Sequence, residues 1–348
     1  MYLDILLFSV LLSSLPLPLS VLAGQTPLRP SPQSKHPSIP SIGLGLWNSK
    51  DDDAANAVTY AFDAGYKHLD SAAAYGNEGF VGRSLSSSSK HTPPRHKYWV
   101  TSKLWNDAHK PKLVAGALNN TLSDLSIPYL DLYLMHWPVA FLPNQSPGRT
   151  VIDQDTSILD TWRAMEDLVR ANMTRYIGVS NFSPRQLDQV LKSCHICPYA
   201  HEFETHPYLQ QQDFVDWHAA NNITVIAYSP LANMNPTYKG KYPKLDPILE
   251  DGFWKGLAGK KNCTVAQAVL AWGIQRGTVV IPKSVHEERI IENLGSLNVT
   301  FSKEEMKDIQ MQDKRSRFND PSKGWGVELF EGLDDGSNRF LATKHDLR

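Results

Sequence analysis

Along the chain, short apolar runs rich in β-formers alternate with longer segments in which apolar residues recur every three or four positions. The short runs read "GLGLW", "KHLD", "YWVTSK", "LDLYLMH", "RYIGVSN", "HEFET", "TVIAYSP" and "TVVIPKS". Between them lie "DDAANAVTYAFDAG", "SILDTWRAMEDLVR" and "TVAQAVLAWGIQRG", whose spacing and flanking Asp or Gly residues predict amphipathic helices. Strands alternating with helices make parallel sheets, and eight such units predict an α/β fold of the (β/α)8 TIM-barrel type. A barrel of that kind takes about 250 residues, so residues 41 to about 315 are expected to form one domain within the 348-residue chain. Residues 316–348 are left as a C-terminal tail or substrate loop, and the serine run at 86–89 as a solvated turn.

The ends of the strands change the picture. A lone histidine closing an apolar run, as His136 closes "DLYLMH", is ordinarily a satisfied structural residue. Yet every predicted strand ends in polar or aromatic groups: Trp47, Asp70, Lys103, His136, Ser180 with Asn181, Glu202, Tyr228, and Lys283 with Ser284. A parallel barrel gathers its C-terminal strand ends at one mouth, where its active sites lie. His136 is therefore expected to face a substrate.

Charge and cysteine content narrow the partners. Thirty-five basic residues nearly cancel 36 acidic ones, so no global field favours nucleic acid or an anionic surface, and a small molecule is the expected partner. Three cysteines are too few, and odd in number, for a disulfide framework. "CHIC" (Cys194, Cys197) lacks the second ligand pair a structural zinc site needs, and no metal is expected.

Six segments in order, "GYKHLDSAAAYGNE", "VTSKLWN", "DLYLMHWP", "YIGVSNFS", "VIAYSPL" and "VIPKSVHEERIIENL", resemble the successive signatures of the aldo-keto reductase family. "RFNDP" (Arg317 to Pro321) is similar to fungal members of the xylose reductase and glycerol dehydrogenase type. The resemblance implies a monomeric enzyme that reduces an aldehyde, a ketone or an open-chain sugar with NADPH, through a tetrad of Asp70, Tyr75, Lys103 and His136. The chemistry of that set is coherent by itself. A phenol with a pKa of about 10 is a poor proton donor near neutrality unless a cation such as Lys103 stabilises its phenolate. Asp70 would hold the ammonium, and neutral His136 would orient the carbonyl oxygen. Trp47 and Trp137 would wall the substrate pocket, with loops near 138–157 and 231–250 and the tail finishing it. A tailoring reductase of a secondary-metabolite ketone, and an NADPH-binding regulatory barrel without turnover, are the rival readings.

For the cofactor, the resemblance places Ser180, Asn181 and Glu202 around the nicotinamide amide, Tyr228 on its ring, and Ser229 and Leu231 beside it. Lys283, Ser284 and Arg289 would take the 2′-phosphate of NADP, Arg as a planar fork and Lys as a point charge, and Glu292 and Asn293 the adenine. Two positions depart from the family pattern. Glu202 stands where a glutamine is usual, and a carboxylate cannot donate to the carboxamide oxygen unless protonated. His286 stands near the phosphate where threonine or asparagine is commoner, so use of NADH stays open.

The N-terminus carries an apolar run, "ILLFSVLLSSLPLPLSVL", followed by "AGQ", which resembles a signal peptide cut after Ala23, with residues 24–40 as linker. Pro16 and Pro18 argue against a membrane span, while "MYLD" lacks the basic residues of a signal. Seven Asn-x-Ser/Thr triplets, at Asn119, Asn144, Asn172, Asn181, Asn222, Asn262 and Asn298, favour the secretory pathway and a glycoprotein. NADPH dependence and the cysteine pattern suit the cytoplasm instead.

Overall fold

A computed structural model of the protein describes residues 38–86, 90–143, 145, 150–241 and 244–333; the apolar N-terminal run, residues 87–89 of the serine run, Asn144 and the end of the tail lie outside them. Eight parallel strands follow one another in chain order: β1 Leu44–Gly45, β2 His68–Asp70, β3 Trp99–Leu104, β4 Leu130–Met135, β5 Thr174–Ser180, β6 Ala200–Glu204, β7 Thr224–Tyr228 and β8 Val279–Val280. The sheet closes on itself, because Gly43 and Gly45 donate their backbone N–H groups to Val280 and Pro282 while Val280 donates to Ser41. The (β/α)8 barrel is thus present. "HEFET" departs from expectation in one respect: β6 continues to Glu204, so Glu202 lies in mid-strand rather than at its end.

The helices are α1 Asp51–Ala64, α2 Glu78–Leu85, α3 Pro111–Asp124, α4 Ile158–Arg170, α5 Pro184–Ser193, α6 Gln212–Ala220, α7 Gly252–Lys261, α8 Val265–Gln275, α9 Glu287–Leu294, α10 Lys303–Gln310 and the short α11 Ser322–Trp325. Local chemistry fixes several starts. Ser183, Thr264 and Ser302 cap α5, α8 and α10, each accepting from the third helical N–H while Gln186, Gln267 or Glu305 reaches back. Such caps contribute about 1 kcal/mol each. α1 ends on Gly65 at φ 103°, a left-handed position that favours glycine. Gly178 in β5 has no room for a side chain, since a Cβ would stand 2.3 Å from the Ala200 carbonyl oxygen. The outward faces of the strands and the inner faces of the helices form one large apolar core, through Leu69, Leu104, Tyr133, Met135, Trp162 and Val179.

Cys194 and Cys197 are joined by a disulfide across the link from α5 to β6. One local bridge is not a framework, but the count of cysteines did not point to it: a CxxC pair can close by itself, and Cys263 is left as the free thiol. Among the described triplets, Asn119, Asn172, Asn222, Asn262 and Asn298 are exposed, whereas Asn181 is buried. Among the described residues no helix is long and apolar enough to cross a membrane.

The interior holds His68, His109, His136, His201 and His218, all buried. Burial keeps them neutral, with His68 and His109 held down to about 3 and His218 to about 4, and His136 and His201 well below the usual imidazole value. Their pKa values are lower folded than unfolded, so the stability they contribute is present above about pH 6.5 and is lost as pH falls below it. Two buried carboxyls oppose this trend: Glu78, pushed up to about 7 by burial, and Glu202, also raised. Both cost stability as pH rises above the usual carboxyl range. The histidines outnumber them, so stability is expected to fall by about 4 kcal/mol per pH unit between pH 6 and 5. Denaturant unfolding at pH 6.5 and 5.5 checks this, and coincident midpoints would contradict it.

Candidate active site

Strand alternation explains what fills the barrel mouth. Asp70 ends β2 and Lys103 is the fifth residue of β3, and both side chains point inward, with Lys103 fully buried. Its Nζ donates to Asp70 Oδ1 at 2.6 Å, to the Ser71 carbonyl at 2.9 Å and to the Tyr75 hydroxyl at 3.3 Å. Tyr75 sits on the 3-10 turn Ala73–Tyr75 after β2. Asn77 ties that turn to the end of β1, donating to the carbonyls of Leu46 and Ser49 at 2.9 and 2.8 Å. Glu78, next in sequence, ties it to β3 and α3, accepting from Ser102 at 2.6 Å and Thr121 at 2.9 Å. His136 follows β4, its ring 6.0 Å from that of Tyr75. The four predicted residues therefore meet in one place. His136 is neutral because burial, with the Lys103 charge and His109, disfavours the imidazolium.

Burial raises the Tyr75 pKa, and the pull of Lys103 in the opposite direction does not overcome it. The phenol thus rests protonated. Burial also works against the Lys103 charge, but Asp70 and Glu202 outweigh it and the net shift is upward.

Around this centre, Ser180 and Asn181 are buried at the end of β5. Asn181, in the left-handed region at φ 62°, donates to the His136 carbonyl and to Ser180 Oγ, both at 3.0 Å, and accepts from the Tyr228 hydroxyl at 2.7 Å. Glu202 does not join that group. It turns instead to the tetrad, with Oε1 3.2 Å from Lys103 Nζ. Ser229 meets the Tyr238 hydroxyl at 2.8 Å, and Leu231 packs half-buried beside it.

Further round the mouth, α9 starts at Glu287 with no side-chain cap on its first turn. Ser284 Oγ accepts from the His286 N–H at 3.1 Å. Among the described residues no carboxylate pairs with Lys283 or Arg289. Uncapped N–H groups beside two unpaired cations suit a phosphate. Of the adenine candidates, Asn293 is buried, and Glu292 accepts from Thr264 Oγ1 at 2.6 Å. Trp137 is buried against Trp325 and Phe330, and Trp47 packs 6.2 Å from Tyr238. Trp105, 5.2 Å from His136, extends the aromatic wall through Phe141 and Trp325.

Comparison with known proteins agrees with this geometry. The profile of the aldo/keto reductase family matches residues 41–314. An aldo/keto reductase of Synechocystis is 41% identical over 292 residues, covering 82% of this chain and 89% of its own. The aldo-keto reductase family 1 member A1 of Sus scrofa is 41% identical over 288 residues, covering 80% and 88%. An aldose reductase structure from Schistosoma japonicum superposes with a TM-score of 0.77 at 33% identity, over 86% of this chain and 97% of the other. The chain belongs to the aldo/keto reductase family. It is an oxidoreductase whose reaction is carbonyl reduction, and members of the family generally use NADP(H).

This aldo/keto reductase also holds residues the strand-end reading passed over. Asn77 and Glu78 were in plain view in "AYGNE" and Trp105 in "SKLWN", but a side chain that props another has no pattern of its own. Glu204 is the least legible. Fully buried at the end of β6, it accepts from the backbone N–H groups of Phe318 and Asn319, each at 2.7 Å, and from His206 Nε2 at 2.9 Å. Burial alone would raise its pKa, yet His206, Arg317 and the backbone donors bring the net shift down. Asn319 in turn donates to the Tyr228 hydroxyl at 3.2 Å. The tail is thereby fastened to the mouth. Hydrogen bonds to a charged group contribute roughly 1.5–3 kcal/mol, so Glu204→Gln is expected to speed hydrogen exchange at the Phe318 and Asn319 amides by about tenfold or more. Amides of β3 and β4 should be unaffected. Unchanged protection at the two tail amides would rule out the anchor.

Proposed function

We propose that this reductase converts the carbonyl of an aldehyde, a ketone or an open-chain sugar to the alcohol, with NADPH as its cofactor and Tyr75 as proton donor. The observation that carries the reading is the Lys103 ammonium held within hydrogen-bonding distance of both Asp70 and the Tyr75 hydroxyl, beside neutral His136. The cofactor, when bound, supplies the hydride. Tyr75 gives its proton to the carbonyl oxygen, Lys103 stabilises the phenolate left behind, and His136 directs the carbonyl toward Tyr75. Ser180, Asn181 and Tyr228 are the residues that would hold the nicotinamide end, and Lys283, Ser284 and Arg289 the 2′-phosphate. The wall of Trp105, Trp137, Phe141, Trp325 and Phe330 favours substrates with an apolar substituent over a bare sugar.

Tyr75→Phe should leave NADPH binding within a few-fold of the parent while abolishing carbonyl-dependent NADPH oxidation across a substrate panel; parental turnover in that variant would refute the proton-donor role. Lys283→Met should raise the Kd for NADPH by about tenfold or more and leave that for NADH nearly unchanged, as removal of one charge-assisted partner implies. Equal losses for both cofactors would count against the phosphate site.

We further propose that the protein enters the secretory pathway, is cut near Ala23 and is glycosylated. The Cys194–Cys197 disulfide supports an oxidising compartment, and five exposed acceptor asparagines support glycosylation. Burial of Asn181 would keep the cofactor site free of glycan. Mass spectrometry of the native protein should show the cleaved N-terminus, the disulfide and glycans away from Asn181. An intact N-terminus with every acceptor asparagine bare would sink the proposal.

A further inference from the structure

Two carboxyl groups face one ammonium at the base of the mouth. Lys103 Nζ lies 2.6 Å from Asp70 Oδ1 and 3.2 Å from Glu202 Oε1, and all three side chains are buried. The remaining oxygens, Asp70 Oδ2 and Glu202 Oε2, are buried with no donor among the described residues. Were both ionised, the cluster would carry an uncompensated negative charge and two bare acceptors in a dry interior, an arrangement that costs several kcal/mol. One proton removes both problems.

The neighbours show where it sits. Asp70 makes the shorter contact to Lys103, and a glutamic acid is intrinsically the weaker acid of the two. From β5 and β7, the residues level with Glu202 are Ser180 and Ile226, and neither titrates. On its own strand Glu204 is committed to the tail. Across the barrel the facing groups are Asp70, Lys103 and Tyr75, while His136 on the far side of Lys103 is neutral. Among the described residues no further cation is placed to offset a second carboxylate.

We propose that Glu202, as a neutral carboxylic acid, is the proton store of this reductase and acts through Lys103 on Tyr75. The proposal rests on Tyr75 being the donor. In reduction, the carbonyl carbon gains the hydride and its oxygen takes the proton of the Tyr75 O–H bond. The phenolate then takes a proton from Lys103 Nζ, 3.3 Å away, and Lys103 takes the Glu202 proton. The single negative charge left by the turnover ends on the Glu202 carboxylate, a far weaker base than the phenolate, until water returns a proton. Glu202 is a positioning residue for the proton, not a group that touches the substrate.

Two measurements test this. In the apoprotein at pH 7, infrared spectra should contain a protonated-carboxyl C=O band beyond the contribution of Glu78, and that band should disappear in Glu202→Gln and titrate above the ordinary carboxyl range in the parent. In the pH profile of kcat for carbonyl reduction at saturating NADPH, the store works only while Glu202 is protonated. The parent's rate should therefore be full at lower pH and fall as pH rises through the titration seen in the infrared. Glu202→Gln should turn over about tenfold more slowly at neutral pH and lack that fall, and Glu202→Asp should restore it. Absence of the band, or the same high-pH fall in parent and Gln variant, would overturn the proposal. So would a Gln variant whose only change is in the NADPH Kd, since Glu202 would then be a cofactor ligand. The tyrosine assignment is judged separately: inactive Tyr75→Phe with an unchanged Glu202→Gln profile removes the store and leaves the donor.

Discussion

Burial of the Lys103 ammonium is the constraint on which the site depends. Moving an ammonium from water into a dry interior costs several kcal/mol even after relaxation, and only close opposite charge and full hydrogen bonding make it tolerable. Asp70, the Ser71 carbonyl, the Tyr75 hydroxyl and Glu202 meet that requirement from three directions. The geometry that stabilises the cation also aims it at the phenol. Removing Asp70 would strand the ammonium, so the fold and the chemistry share that contact.

β6 carries the other half of the arrangement. Ala200, Glu202 and Glu204 share one face of the strand, as period-two alternation requires, and all are buried. Two successive inward carboxyls on one strand would repel each other if both were ionised without partners. They diverge because their surroundings differ. Glu204 receives two backbone N–H groups and His206, which hold it as an anion. Glu202 receives only a share of Lys103, already matched by Asp70, and burial keeps it neutral. One anion fastens the tail over the mouth, and one neutral acid adjoins the tetrad.

The legible part of this protein was whatever repeats or clusters. Alternation of strand and helix periods pointed to the barrel, the accumulation of polar groups at strand ends pointed to a common location for Asp70, Lys103 and His136, and Tyr75 joined them only through the family resemblance. What could not be read depends on contacts between distant segments. Nothing in "HEFET" says that its first glutamate faces β3 and its second the tail more than 110 residues away. The net direction of the phenol's pKa was not legible for a related reason: the sequence names a neighbouring cation but not the degree of burial, and burial is the larger influence. The CxxC disulfide escaped because a count of cysteines carries no distance.

A phenol that gives up its proton in each turnover poses a difficulty that the tetrad alone does not resolve. If the phenolate formed in each turnover had to wait for water to pass the aromatic wall, the walls that limit solvent at the reaction would also slow its reset. Trp105, Trp137, Phe141, Trp325 and Phe330 make such a wall. A store of one proton behind Lys103 separates the two demands, because the phenol can be restored from within the site before water recharges the carboxylate. A glutamine at position 202 would satisfy Lys103 by hydrogen bonding but could hold no exchangeable proton of comparable acidity. The choice of an acid at this position therefore affects the reaction's timing more than the fold's stability.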